Sequence, residues 1–243
     1  MTEITEDRLL GGRVRLLQPA SGYRAAIDPV FLAAAVPAQA GQSVLDVGLG
    51  VGAASLCLAA RVAGIRGVGL ELQPELAALA ERNVVLNERS DSLTVVQGDL
   101  QSAVGGVLVP GGFDHVMTNP PYMRDGTAPP HAGKSLANRE AEVDLAAWMG
   151  FCVSMLRHKG GLAVVHRADR LDELLSALQG RVGEIAVIPL WPKQGRAAKR
   201  VVVRARKGVR GPLSLLPGLV LHDEDGGYTA AAQAVLKDGA GLD

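Results

Sequence analysis

The chain has 243 residues, 48% of them hydrophobic and 21% charged, which is enough to bury the core of one soluble α/β domain. Its 25 basic and 25 acidic residues cancel, and a sequence pI near 7.0 gives no global cationic field of the kind that advertises nucleic-acid binding. No apolar run reaches the roughly 18 residues of a membrane span. The start, Met1 to Asp7, has neither the basic nor the apolar region of a secretory signal.

In chain order, residues 1–42 precede the first clear strand and form an N-terminal segment, expected to pack on a cofactor site in the domain 43–243. From there apolar runs and breakers alternate. Strands are predicted at 43–47, 67–70, 93–97, 113–118, 161–166, 184–190 and 200–205, and helices at 53–63, 74–87, 139–157 and 169–179. Pro74 reads as a first-turn residue, and Gly160-Gly161 as the stop of the long helix behind the basic turn Arg157-His158-Lys159. This rhythm predicts a seven-stranded, mostly parallel sheet with helices on both faces. Between 190 and 200 there is no room for a helix, so the last two strands are expected as an antiparallel pair at the sheet edge. Cys57 and Cys152 fall in apolar helical contexts, which predicts free buried thiols and a reducing, cytoplasmic location.

Two motifs carry the chemistry. The first, Asp46-Val47-Gly48-Leu49-Gly50-Val51-Gly52, follows a strand and opens a helix, where missing Cβ atoms let a ligand approach backbone N–H groups. The second, Asn119-Pro120-Pro121-Tyr122, directly follows the fourth strand. An exocyclic or carboxamide nitrogen has its lone pair delocalised and attacks only when its hydrogens are accepted and it can pyramidalise. The Asn119 amide oxygen and the Pro120 carbonyl are suited to that task, and the prolines remove competing N–H groups. Tyr122 adds a flat face for a base or an amide plane. Together these motifs point to transfer of a methyl group from S-adenosylmethionine to a planar nitrogen.

A rival remains open for the glycine loop, because Gly48-x-Gly50-x-x-Ala53 with Glu71 about twenty residues on also satisfies the dinucleotide pattern of a nicotinamide-dependent oxidoreductase or nucleotide-binding module. Asp46 before the first glycine, Gly98-Asp99 at the end of the third strand, and the fourth strand's acceptor turn favour methyl transfer. No pair of histidines has the spacing of metal ligands, so no metal is expected. Lys193, Arg196, Lys199, Arg200, Arg204, Arg206, Lys207 and Arg210 make a strip without an intervening acid, fitting either RNA phosphates or a solvated edge hairpin. The polar, Gly/Pro-containing stretch 123–138 is expected to be a lid-like loop beside the Asn-Pro-Pro-Tyr turn.

Asp46-Val-Gly-Leu-Gly-Val-Gly, Glu71, Asp99 and Asn119-Pro-Pro-Tyr together resemble the class I S-adenosylmethionine-dependent methyltransferases of the Asn-Pro-Pro-Tyr group, which have a Rossmann-like sheet. The segment Gln18-Pro-Ala-Ser-Gly-Tyr-Arg-Ala-Ala-Ile-Asp28 and the tail from Lys199 through Leu221-His222 to Tyr228 are similar to the bacterial enzymes that methylate N6 of adenosine 37 in a valine tRNA. The resemblance implies an RNA substrate, with S-adenosylmethionine held by Asp46, Gly48, Gly50, Gly52, Leu72, Leu100 and Asn119, by Glu71 on its ribose, and by Asp99 on its adenine. Asn119 and Pro120 would grip the target amine and Tyr122 would stack on the base beside Pro121. Arg200 and Arg204 would meet RNA, and Arg24 and Asp28 would close the cofactor pocket. Relatives with the same motif act on other amines, in rRNA or on protein glutamine, but those that modify release factors carry a helical domain ahead of the sheet for which 1–42 is too short.

Overall fold

Residues 3–22, 24–100, 105–121 and 144–242 are described by the computed structural model. Strands β1 (Ile4–Leu9) and β2 (Val14–Pro19) form an N-terminal antiparallel hairpin, followed by α1 (Asp28–Ala35). Strands β3 (Ser43–Val47), β4 (Arg66–Glu71) and β5 (Leu93–Gln97) alternate with helices α2 (Ala53–Arg61) and α3 (Pro74–Leu86). Beyond β6 (Phe113–Thr118) come α4 (Leu145–Met155), β7 (Leu156–Arg167), α5 (Leu171–Leu178), β8 (Val182–Trp191) and β9 (Arg200–Lys207). Two-residue strands β10 (Ser214–Leu215) and β11 (Leu219–Val220) precede α6 (Ala230–Leu236).

The sheet order is β10-β8-β9-β7-β6-β3-β4-β5, with β11 also pairing with β8. All seven expected strands form in it. The antiparallel pair lies at the expected end of the sheet, and the reversed strand β9 is its inner member, bonded to β7 on one side and β8 on the other. The short parallel strands β10 and β11 extend this edge.

A parallel sheet hides both faces, so its strands are apolar on both, and successive side chains enter opposite cores. Val44, Met117, Val165 and Val202 join the core beneath the hairpin, α1, α2 and α6. Leu45, Val116, Val164 and Val203 join the other, under α4 and α5. Residues Val30 to Ala35 of α1 belong to the first of these, so the segment 1–42 shares its core with the sheet.

Two elements end differently from the sequence expectation. Helix α4 stops at Met155, and Leu156 to Lys159 already belong to β7. Gly160 and Gly161 therefore lie inside a strand rather than stopping a helix. A Cβ on Gly160 would meet the Asp114 carbonyl oxygen at 3.0 Å, and one on Gly161 would meet His115 Nδ1 at 2.8 Å, so these glycines permit the close approach of β7 to β6. The N-terminal part of the expected 139–157 helix, 139–143, lies outside the described residues.

The hairpin and α1 were not predicted as elements. The hairpin docks through two asparagines one turn apart, Asn83 on α3 and Asn87 just past its C-terminus. Asn83 Oδ1 accepts from Leu17 N (2.7 Å), and its Nδ2 donates to the Leu17 and Val51 carbonyls (both 2.9 Å). Asn87 repeats the pattern on Arg15, accepting from its N (2.9 Å) and donating to its carbonyl (2.7 Å). Two residues of strand span roughly 6.6 Å and four of helix roughly 6 Å, so the amides match the outward-facing groups of β2 as a third strand would. Asn83 is fully buried, and truncating it strands a backbone N–H and two carbonyls. We expect Asn83→Ala to lower stability by about 3 kcal/mol, read as a fall in Tm of roughly 6 to 12 °C; a shift under about 2 °C would show that water replaces the amide there.

Candidate active site

Strands β3, β4, β5, β6 and β7 all end at one edge of the sheet, with Val47 level with Leu70 and Thr118, and Thr118 level with Val164. In open parallel sheets this carboxyl edge is where ligands sit. The glycine loop leaves β3 there. Gly48 N and Leu49 N both donate to the Leu70 carbonyl (2.9 Å each), which turns the chain sharply and requires φ of +76° at Gly48. A Cβ on Gly48 would lie 3.0 Å from the Trp148 ring, so only glycine fits.

Glu71, at the end of β4 and 2% exposed, holds two loops at once. Its Oε2 accepts from Gly50 N (2.7 Å) and its Oε1 from Gln73 N (2.9 Å). Asp46, also 2% exposed, accepts from Ser55 Oγ (2.8 Å) and so ties β3 to α2. Burial raises its pKa from 3.8 to about 7; the Ser55 hydrogen bond opposes that shift and the negative charge of Glu71 adds to it.

Two clefts share Trp148 as a wall. The first, about 300 Å³, is lined by Val47, Gly48, Leu72, Asp99, Leu100 and Trp148, among others. It brings together Gly48, Leu72, Asp99 and Leu100, four of the residues assigned from sequence to the cofactor. The second, about 450 Å³, is lined by Pro120, Pro121, Asp144, His166, Arg170 and Glu173, together with Leu145 and Trp148. Between them Thr118, fully buried, donates through Oγ1 to the Val47 carbonyl (2.7 Å) and accepts from Trp148 Nε1 (2.9 Å). The strand end that carries Asn119 is thus anchored on both sides. Asn119 is half-buried and Pro120 buried. Tyr122 and the 123–138 loop lie outside the described residues.

Sequence reasoning assigned no role to Trp148 or His166. Trp148 sits on a helix apolar on every face, so its direction could not be read; its rarity in a chain with two tryptophans was the only signal. His166, 1% exposed near the end of β7, has its pKa lowered to about 4 by burial and then by the charge of Arg170, and is therefore neutral at pH 7.

The remaining assigned residues are partly dispersed. Arg24 donates to Asp7 Oδ2 (2.5 Å), Thr5 Oγ1 (2.8 Å) and the Pro19 carbonyl (2.7 Å), bracing the hairpin. Asp28 accepts from Arg200 Nε (3.0 Å), linking the start of α1 to the start of β9 at the ligand edge. Arg204 lies four residues along β9, roughly 13 Å from that edge, and donates to the Leu242 carbonyl (3.1 Å). The structure brings Arg200 to the ligand edge and leaves Arg204 away from it. Among the described residues no group of three or more His, Cys, Asp or Glu side chains is placed to hold a metal, and no helix is long and apolar enough to cross a membrane.

Comparison with known proteins places this geometry. Residues 25–188 match the family model described as the methyltransferase small domain. A tRNA1(Val) (adenine(37)-N6)-methyltransferase of Porphyromonas gingivalis is 27% identical over 183 residues, covering 71% of this chain and 72% of that protein. A Shewanella protein of the same name is 26% identical over 219 residues, covering 89% of this chain and 92% of its own length. Among solved structures, a predicted O-methyltransferase from Agrobacterium tumefaciens superposes with a TM-score of 0.74 at 24% identity, covering 88% of this chain and 98% of that one, a likeness of fold. The family match spans the glycine loop, Glu71, Asp99 and the Asn-Pro-Pro turn, and it favours methyl transfer over the nicotinamide alternative: the chain belongs to the methyltransferase small domain family.

Proposed function

We propose that this protein transfers a methyl group from S-adenosylmethionine to an exocyclic amino nitrogen, N6 of an adenine in tRNA, in the cytoplasm. The observation that carries the proposal is the anchored Asn119-Pro120-Pro121 turn, which starts from the Thr118 clamp and whose prolines line the second cleft, next to a first cleft that shares the Trp148 wall. The names of the relatives in P. gingivalis and Shewanella support the choice of tRNA adenine.

The first cleft suits the cofactor. Val47, Leu72 and Leu100 offer apolar walls for a purine, Asp99 offers a carboxylate for its amino group, and Gly48 leaves room where a side chain would collide with Trp148. Glu71, fixed by Gly50 N and Gln73 N at the end of β4, is the acid proposed to meet the ribose hydroxyls. When bound, S-adenosylmethionine supplies an electrophilic methyl on a cationic sulfur. The chain's part is alignment. Asn119 Oδ1 and the Pro120 carbonyl accept the two hydrogens of the target amine, freeing its lone pair from the ring, while Pro121, with Tyr122, supports the base. Such positioning can be worth roughly 7 to 11 kcal/mol of barrier. Both cysteines are buried thiols, with burial raising that of Cys57 to about 12, which suits a reducing compartment where they remain unreactive.

The direct test is mass spectrometry of nucleosides in tRNA from cells with and without the protein. Loss of N6-methyladenosine is expected; label from the radioactive cofactor landing in rRNA or protein instead would overturn the choice of substrate. For Asn119→Ala we expect nearly normal cofactor affinity and single-turnover rates lower by roughly 10² or more, and an unchanged rate would remove Asn119 from the reaction.

Asp46 gives a pH signature. Folded, it holds its proton up to about pH 7, whereas the unfolded chain releases it near 3.8, so the native state binds more protons across that window and loses stability as pH rises through it. Asp46→Asn cannot ionise. Urea titrations should therefore show wild type losing ground to the variant between pH 5 and pH 8, and a constant difference would mean that the carboxylate is ionised throughout.

A further inference from the structure

Arg170 lines the second cleft, and Arg167 and Arg200 stand beside it at the end of the β7–β9 ladder, each of the three held by a carboxylate. Arg170, on its wall, donates to Glu173 through Nε (2.9 Å) and through a second, shorter bond from Nη2. Arg167 makes the same bidentate pair with Asp169, its Nε bond being 2.8 Å. Arg200 donates through Nε to Asp28. Arg167 and Arg200 are directly opposite in the β7–β9 ladder, at the end of β7 next to His166, whose buried ring lines the cleft. The charges of all three arginines reach that ring.

Like charges facing each other across a ladder are destabilising unless something else holds them there. The paired carboxylates offset this, and those of Asp169 and Glu173 are weak restraints, because exposed pairs contribute roughly 0 to 1 kcal/mol. The side chains of Asp169 and Glu173 are 61% and 47% exposed. A phosphate offers a guanidinium the same bidentate geometry with counterion release in addition. Three further residues of the cationic strip read from sequence are poorly placed for this cleft. Arg204, Arg206 and Lys207 lie roughly 13 to 23 Å down β9, where Arg206 meets Glu184 (3.0 Å) and Lys207 the Leu156 carbonyl (2.6 Å).

We propose that Arg167, Arg170 and Arg200 form a collar that takes the RNA phosphates flanking the nucleotide whose base enters the second cleft, and that Asp169, Glu173 and Asp28 hold these guanidiniums ready until phosphates displace them. The inference rests on the proposed RNA substrate and adds where that RNA is gripped. It also accounts for a neutral chain acting on a polyanion: the cations are present at the ligand edge beside the cleft but masked, so affinity is gained only where phosphates can displace the acids.

The test uses the full chain and a tRNA transcript, with binding followed by fluorescence anisotropy between about 50 and 200 mM salt. For Arg167→Gln/Arg170→Gln we expect Kd and KM for RNA to rise roughly tenfold or more, and the slope of log affinity against log salt to fall by about 1 per arginine. Affinity for S-adenosylhomocysteine should be unaltered. Removing the masks in Asp169→Asn/Glu173→Gln should tighten RNA binding by about two- to fivefold, a change of opposite sign that misfolding cannot produce. Wild-type enzyme that methylates tRNA while both double variants match it, or while both weaken, overturns the collar and leaves the proposed function standing. Wild-type enzyme that neither binds nor methylates RNA overturns both.

Discussion

The buried carboxylate of Glu71 is the contact on which the site depends. Its two oxygens take N–H groups from the loop after β3 and from the turn after β4, and so lock together two connections that would otherwise be independent. A carboxylate with 2% exposure is stable only when its acceptors are used, and here backbone donors use them. The consequence reaches beyond the loop. With Gly50 fixed, Gly48 and Leu49 can share the Leu70 carbonyl, and Leu49 can fold over Gly69, where a Cβ would come within 2.4 Å of it. The floor of the first cleft is therefore backbone, held by one side chain.

Trp148 is the second organising element. A large ring wedged beside Gly48 and hydrogen-bonded to Thr118 makes one wall serve two clefts. Because Thr118 also reaches the Val47 carbonyl, the indole, the glycine loop and the strand end before Asn119 form one rigid unit. That arrangement suits a reaction in which the chain contributes alignment more than acid–base chemistry. It fits too that His166, the histidine lining the second cleft, is held neutral by burial and neighbouring arginines.

Charge follows the same economy of placement. The chain is neutral overall, and its arginines near the site are paired with acids from neighbouring elements. The Asp28–Arg200 bridge joins α1 to β9, and the amides of Asn83 and Asn87 join the hairpin to α3. The segment ahead of the first sheet strand is thereby part of the architecture around the ligand edge.

Seven of the sheet strands and the glycine loop after the first of them were legible in the sequence, because hydrophobic period and glycine spacing are local properties of a chain that must be buried on both faces of a parallel sheet. Boundaries at Gly160 and Gly161 were misread, since a glycine that admits a neighbouring strand looks the same as one that stops a helix. The hairpin was missed because its restraints come from asparagines some seventy residues away. Which way Trp148 points, that His166 lines a cleft, and that the cationic strip splits between opposite ends of β9 were decided only by tertiary structure. Those facts depend on how a helix is rotated and a strand reversed against partners distant in sequence, and no local pattern encodes them.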